Sequence, residues 1–358
     1  MRFSLFNGQF GNTDRVLLEG VHFKATAKRY SSGVAALLVE TRDMAMEILP
    51  FQGQQIWSVT VGGRRLTMKS MNSEPVNSQN YLEAYGAFFI HCGLTAIGSP
   101  GPEDRHPLHG ELPNACYEDA YIELGGSWQN PSLSVGGAFR YTLAFATSYR
   151  FDPEVTIPAE GTLFDMEVKA TNLKASPMDL MYLGHANFMP IDDAELKYSA
   201  RYVPTDVVLR TSIPPHLRPN EHYLEDLAKL AANPALHHRI GSRAAFDPEA
   251  VFMVKYRADS SGWAHSLQVL PDGSSDYIAF RPCEFPAAIR WVCLTPDQRG
   301  LGLALPTTSG VEGAAKEIAA GRSVKVPPGG SWQARMRMGT LSAEETRTIT
   351  TVIETLNT

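Results

Sequence analysis

Cysteine is scarce in this chain: Cys92, Cys116, Cys283 and Cys293 are the only four among 358 residues, and no two form a C-x-x-C pair. That spacing argues against a zinc knuckle, and so few thiols over such a length argue against a disulfide scaffold, so reduced cysteines are expected. Long apolar runs are also missing, with nothing near the ~20 residues that cross a bilayer. Met1 to Gly8 lacks the unbroken apolar core of a secretion signal. Positive charge is not in surplus, with 32 Lys and Arg against 38 Asp and Glu. A phosphate-backbone binder needs a basic patch above its acidic background, so nucleic acid is not an expected partner. No phosphate loop, dinucleotide glycine fingerprint or G-x-S-x-G elbow stands in a fitting strand context. No nucleotide cofactor, and no cofactor of another kind, is implied. These absences together lead to the expectation of a cytoplasmic protein, monomer or homodimer, with neither a membrane nor a nucleic acid as partner.

What is present is ordinary core-forming material, 44% hydrophobic and 20% charged, arranged mostly as short strands. Ala35–Thr41 and Met44–Pro50 are apolar runs joined at Arg42-Asp43. Ile56–Val61 meets Gly62-Gly63 and then Arg64-Arg65-Leu66, a second hairpin with glycines where positive φ is needed. Phe164–Thr171 alternates, with Met166, Val168 and Ala170 on one face and Asp165, Glu167, Lys169 and Thr171 on the other. Near the end, 323–326, the turn Pro327-Pro328-Gly329-Gly330 and 331–338 read as strand, turn, strand. Two helices are predicted. Glu221–Ala232 reads as an insertion, with Leu224, Leu227, Leu230 and Ala231 at helical spacing. Residues 342–356 open with Ser342 and Glu345 as a capping box and carry Ile349, Val352, Ile353 and Leu356 as an apolar stripe that docks the tail. Strands following strands, with no clear linker, favour one all-β domain over 1–358.

Chemistry concentrates in two runs. His106-Pro107-Leu108-His109-Gly110-Glu111 follows Cys92-Gly93-Leu94, and Gly184-His185-Ala186-Asn187-Phe188 lies further on. Imidazoles and carboxylates exchange protons near neutral pH, which suits acid–base work on a sugar or carbonyl compound. The bland readings are a solvated loop for His106, packing beside Cys92 for His91, and ion pairs for Glu111, Arg64, Arg65, Arg281 and Arg290. Phe88, Phe89, Tyr182, Phe188 and Trp291 flank these runs and suit either a sugar face or a β core.

Several segments in order resemble the aldose 1-epimerase, galactose-mutarotase-like family, in its aldose-epimerase-like branch. They are Leu49-Pro50-Phe51-Gln52-Gly53 with Val61-Gly62-Gly63-Arg64, then Cys92-Gly93-Leu94, Leu108-His109-Gly110, Thr171-Asn172, and His185-Ala186-Asn187. Phe285-Pro286, Arg290-Trp291, Leu303–Thr307 and Pro327–Gly330 follow. The resemblance implies a β-supersandwich with few short helices whose concave face binds a monosaccharide or sugar derivative. It implies His185 as the acid at the ring oxygen, His109 as the group that orients or polarises the sugar, and Asn187 as a hydroxyl ligand or a brace. Glu111, Arg281 and Glu312 stand as further substrate contacts. The family's basic glutamate has no counterpart, because Leu305 occupies its place and a leucine moves no proton. Glu312, Asp276 and Glu284 are the available replacements. Two alternatives stay open: a carbohydrate-binding or sensing protein that keeps the pocket without turnover, and a metal-dependent isomerase or lyase using His106, His109, Glu111 and His185.

Overall fold

The computed structural model describes residues 1–240 and 246–358. Short alternating segments produce two antiparallel sheets, of nine and thirteen strands. The first runs Arg2–Leu5, Asp119–Gly126, Pro131–Leu143, Thr147–Pro158, Leu163–Asn172, Ser331–Leu341, Ser275–Phe280, Ala264–Val269, Glu195–Tyr198. The second runs Val207–Leu209, Ala250–Val254, Ala287–Leu294, Arg299–Thr307, Met178–Ala186, Phe89–Leu94, Ile56–Val61, and then back through Met44–Ile48, Ala35–Glu40 and Lys24–Arg29 to Arg15–Glu19.

The period-2 pattern decides which side of each strand is dry. In Leu163–Asn172, Phe164, Met166, Val168 and Ala170 are buried, whereas Glu167 and Lys169 are exposed. The first hairpin closes around Arg42-Asp43 as expected, with Leu38 opposite Glu47 and Val39 opposite Met46. Between the sheets Phe88 meets Phe164 edge-on at 6.1 Å and His91 meets Phe151 at 5.3 Å. Gly184 is small because a Cβ there would lie 2.7 Å from the Met336 sulfur of the facing sheet. Each fully buried Phe or Met side chain contributes about 1.5–3 kcal/mol.

The C-terminal helix, Ala343–Asn357, is capped as its sequence requires: Ser342 Oγ accepts from Glu345 N, and Glu345 Oε2 accepts from Ser342 N at 2.8 Å. Ile353 and Ile349 pack on Leu267, Tyr277, Ala279 and Leu341. The other expected helix spans Tyr223–Ala232, and a third, Ala314–Ala319, has too few turns to signal itself in sequence. No helix among the described residues is long and apolar enough to cross a membrane.

One pairing departs from the sequence expectation. Val324–Val326 does not pair with Ser331–Leu341 across the Pro-Pro-Gly-Gly turn; it pairs with Met178–Leu180 in the other sheet. The turn therefore carries the chain between sheets. Asn172 holds it there, its Nδ2 donating to the carbonyls of Val326, Pro327 and Ser176 at 2.9–3.1 Å.

Candidate active site

Four neighbouring strands of the larger sheet build the floor of a cleft. In Met178–Ala186, Tyr182 and Gly184 point toward the opposite sheet, against Phe151 and Met336. Alternation therefore turns Leu183 and His185 to the other face. Ile289 and Trp291 line the same hollow from Ala287–Leu294, Leu305 from Arg299–Thr307, and Val251 with Glu249 from the Ala250–Val254 edge. Trp291 has room because Gly300 has no side chain, since a Cβ there would come within 2.5 Å of the indole.

His109 arrives from a loop pinned down onto the Phe89–Leu94 strand. Gly93 and Gly110 meet in an isolated parallel bridge, with Gly93 N donating to His109 O and Glu111 N donating to Gly93 O, both at 2.9 Å. Both glycines adopt positive φ, and a Cβ on Gly110 would lie 2.4 Å from Ala96 O. The C-G-L and L-H-G motifs are thus two halves of one close backbone approach. His109 itself has φ 61°. Its N–H donates to Gly98 O at 3.0 Å, and Gly98 N donates to Nδ1 at 3.4 Å, which leaves the ring proton of the neutral imidazole on Nε2.

The two imidazoles stand edge to face, centroids 5.6 Å apart. Tyr81 covers His109 at 4.7 Å, while Tyr85 and Trp291 flank His185 at 5.9 and 5.7 Å. The cleft above them holds about 500 Å³, and a recess of about 60 Å³ continues beneath, lined by Leu183, His185, Glu249 and Leu305. His185 Nδ1 and the Tyr81 hydroxyl are buried without a hydrogen-bond partner among the described residues. Such groups cost free energy unless a ligand or water satisfies them. Burial pushes His185 down to about 4 and His109 well below its ordinary value, the latter helped by the neighbouring His185.

The remaining sequence candidates fall in different places. Glu111 is spent on the fold: its carboxylate accepts from Leu94 N, Thr95 N, Thr95 Oγ1 and the Tyr149 hydroxyl. Asn187, fully buried, accepts from the Tyr85 hydroxyl at 3.1 Å and donates to Ala87 O, so it braces the wall beside His185. Glu312 pairs with Arg210 and lines a neighbouring cavity of about 480 Å³. Arg281 lies over Trp263 at the edge of a separate charged groove that also contains Glu284. Asp276 is fully buried and held by Arg64 and Gln268. Arg290 makes no surface ion pair; it is fully buried, donating to Leu303 O and Ser266 Oγ. His106, His109, Glu111 and His185 do not gather as a metal-binding set, and no other such group of three occurs among the described residues.

Tyr81, Tyr85, His216 and Glu249 line the cleft without having been singled out in sequence. No local sequence pattern marks Glu249; the strand register places it. Val251 stands opposite Trp291, and a residue two places earlier shares its face.

The whole architecture has solved counterparts. It is similar to a Klebsiella pneumoniae protein provisionally assigned as an aldose 1-epimerase, with a TM-score of 0.83 at 17% identity, covering 100% of this chain and 96% of that one. It is similar to a galactose mutarotase-like protein from Clostridium acetobutylicum, with a TM-score of 0.62 at 12% identity, covering 90% and 99% of the two chains. A galactose 1-epimerase from Lactobacillus acidophilus gives a TM-score of 0.55 at 10% identity, covering 92% and 98%. At these identities the likeness is one of fold, and the fold is galactose-mutarotase-like. No curated protein matches the sequence. Residues 31–340 match the family described as a domain of unknown function, DUF4432, and the chain belongs to that family.

Proposed function

We propose that this protein is an aldose 1-epimerase-like isomerase that binds a monosaccharide or sugar derivative and interconverts its anomers. The observation that carries the reading is the pair His109 and His185, facing each other at 5.6 Å in a cleft of about 500 Å³ with tyrosine and tryptophan walls. A hollow of that size accommodates one sugar ring, and aromatic faces suit its C–H surfaces. In this reading His185 gives a proton to the ring oxygen and His109, whose Nε2 carries the proton of the neutral ring, donates a hydrogen bond that orients the sugar. A base takes the proton of the anomeric hydroxyl as the bond from C1 to the ring oxygen breaks, C1–C2 rotates, and closure on the other face reverses both transfers. An imidazole held neutral by burial becomes a cation readily only beside a negative group. The acid therefore needs a carboxylate in its own cleft.

Polarimetry on a panel of aldoses, uronates and sugar phosphates tests the reading. The protein is expected to accelerate anomer equilibration of at least one sugar, and His185→Ala to lower that rate by about 100-fold or more. A panel with no acceleration by the native protein refutes catalysis. The occupancy of the family's glutamate place by Leu305 favours one second reading, a sugar-binding protein without turnover. Saturable calorimetric binding with no change in optical relaxation would identify it.

A further inference from the structure

We infer that Glu249 is the carboxylate that exchanges the anomeric proton, reaching the sugar from the start of a strand two places across the sheet from the one that carries Leu305. The inference rests on the epimerase reading and supplies the base that reading lacks. Arg299–Thr307 contains no acidic residue, and Leu305, 2% exposed, presents only methyl groups to the recess beneath the two histidines. The strand order runs Ala250–Val254, Ala287–Leu294, Arg299–Thr307, Met178–Ala186. Val251 is opposite Trp291, and Ile289 is opposite Leu305. Glu249, Val251, Ile289, Trp291, Leu305 and His185 therefore form one continuous face, and Glu249 opens on both the cleft and the recess. A carboxylate at this strand start borders the same recess as Leu305, although the strand of Leu305 has no acidic residue of its own.

Its geometry suits a base. Trp291 Nε1 donates to Glu249 Oε2 at 2.6 Å, which fixes the carboxylate, while Oε1 accepts no hydrogen bond from the described residues. Burial raises its proton affinity, and the Trp291 N–H and Arg210 hold that rise in check. Arg210, His216, Tyr81, Tyr85, Tyr223, Cys293, Glu83 and the two site histidines are among the titratable or charged groups around it. The rival carboxylates are committed elsewhere: Asp276 to Arg64, Glu312 to Arg210, Glu284 to Arg335 N, and Glu111 to its loop. Glu83 reaches the cleft mouth but is exposed and bound to Ser78 and Asn80.

In the step, Glu249 takes the proton of the anomeric hydroxyl and the O–H electron pair becomes the second bond of the C1 carbonyl. The bond from C1 to the ring oxygen breaks, its electron pair stays on that oxygen, and His185, which enters the step as an imidazolium favoured by the Glu249 carboxylate in the same cleft, protonates it. Closure on the opposite face reverses each transfer: Glu249 returns its proton to the anomeric oxygen and His185 recovers its own from the ring hydroxyl.

The test uses the sugar that the native protein turns over fastest. Glu249→Gln is expected to lower kcat by about 10²–10⁴-fold, to keep calorimetric sugar binding, and to remove one limb of the kcat/KM–pH profile. Glu249→Asp, which keeps a carboxylate on a shorter arm, is expected to restore part of the rate and both limbs. Wild-type kcat with both limbs intact in Glu249→Gln, while His185→Ala is inactive, overturns the assignment of Glu249 and leaves the epimerase reading standing. A native protein that accelerates no sugar removes both.

Discussion

The indole of Trp291 does two things at one position. Its ring walls the cleft beside His185 and its N–H fixes Glu249. Trp291→Phe keeps an aromatic wall and removes the donor. Because that N–H lowers the proton affinity of Glu249, its loss is expected to move the Glu249 limb of the pH–rate profile to higher pH. A hydrogen bond to a charged group contributes about 1.5–3 kcal/mol, so kcat/KM is expected to fall by roughly 10- to 100-fold. An unmoved limb in the measured profile would count against the Trp291–Glu249 link. At this scale the sequence singles out the two imidazoles, since each sits in a short motif. Glu249 stays hidden because Asp247-Pro248-Glu249 reads as a loop, and only the pairing of Val251 with Trp291 turns it toward the histidines.

Elements here are joined by backbone as much as by side chains. The Gly93–Gly110 bridge sets the height of the His109 loop over its strand, and Glu111 staples that loop to Leu94 and Thr95. Gly110→Ala puts a methyl group against two carbonyl oxygens at positive φ. It is expected to cost at least about 2 kcal/mol in denaturant unfolding, and to displace His109 enough that sugar affinity falls with it. Unchanged stability would mean that the loop has another resting place. Strand identity and the positions of the early hairpin turns are legible from alternation and turn residues. The destination of Val324–Val326 is not, because a Pro-Pro-Gly-Gly turn is compatible with a hairpin and with a crossing between sheets. What selects the crossing is Asn172, more than a hundred residues away in sequence.

Across the whole molecule, several histidines are buried in the neutral form. Burial lowers His91 to about 3, His185 and His238 to about 4, and His237 to about 2, against an ordinary 6.5. Below pH 6.5 the unfolded chain binds protons at these sites that the folded chain refuses. Stability therefore rises with pH between about 4 and 6.5 and is lost on acidification, by up to about 1.4 kcal/mol per pH unit for each such group. Glu111, Asp276 and Glu249, raised by burial, act in the opposite sense. These four histidines, joined by the likewise lowered His109, outweigh them where the histidines titrate. A Tm that falls steeply from pH 6.5 to 4.5 is expected in a thermal melt series, and a flat profile would contradict the buried neutral rings.

The sequence by itself determined the alternation that makes an all-β chain, the capped and striped C-terminal helix, and two histidine motifs with glycines beside them, because each is a short-range pattern of period, cap or turn. Tertiary structure alone decided which carboxylate shares the cleft with His185, which glycines meet, and which sheet each closing strand joins. Those outcomes depend on register between strands distant in the chain. A register shift of one residue would turn Glu249 away from the cleft without altering any local signal that the sequence carries.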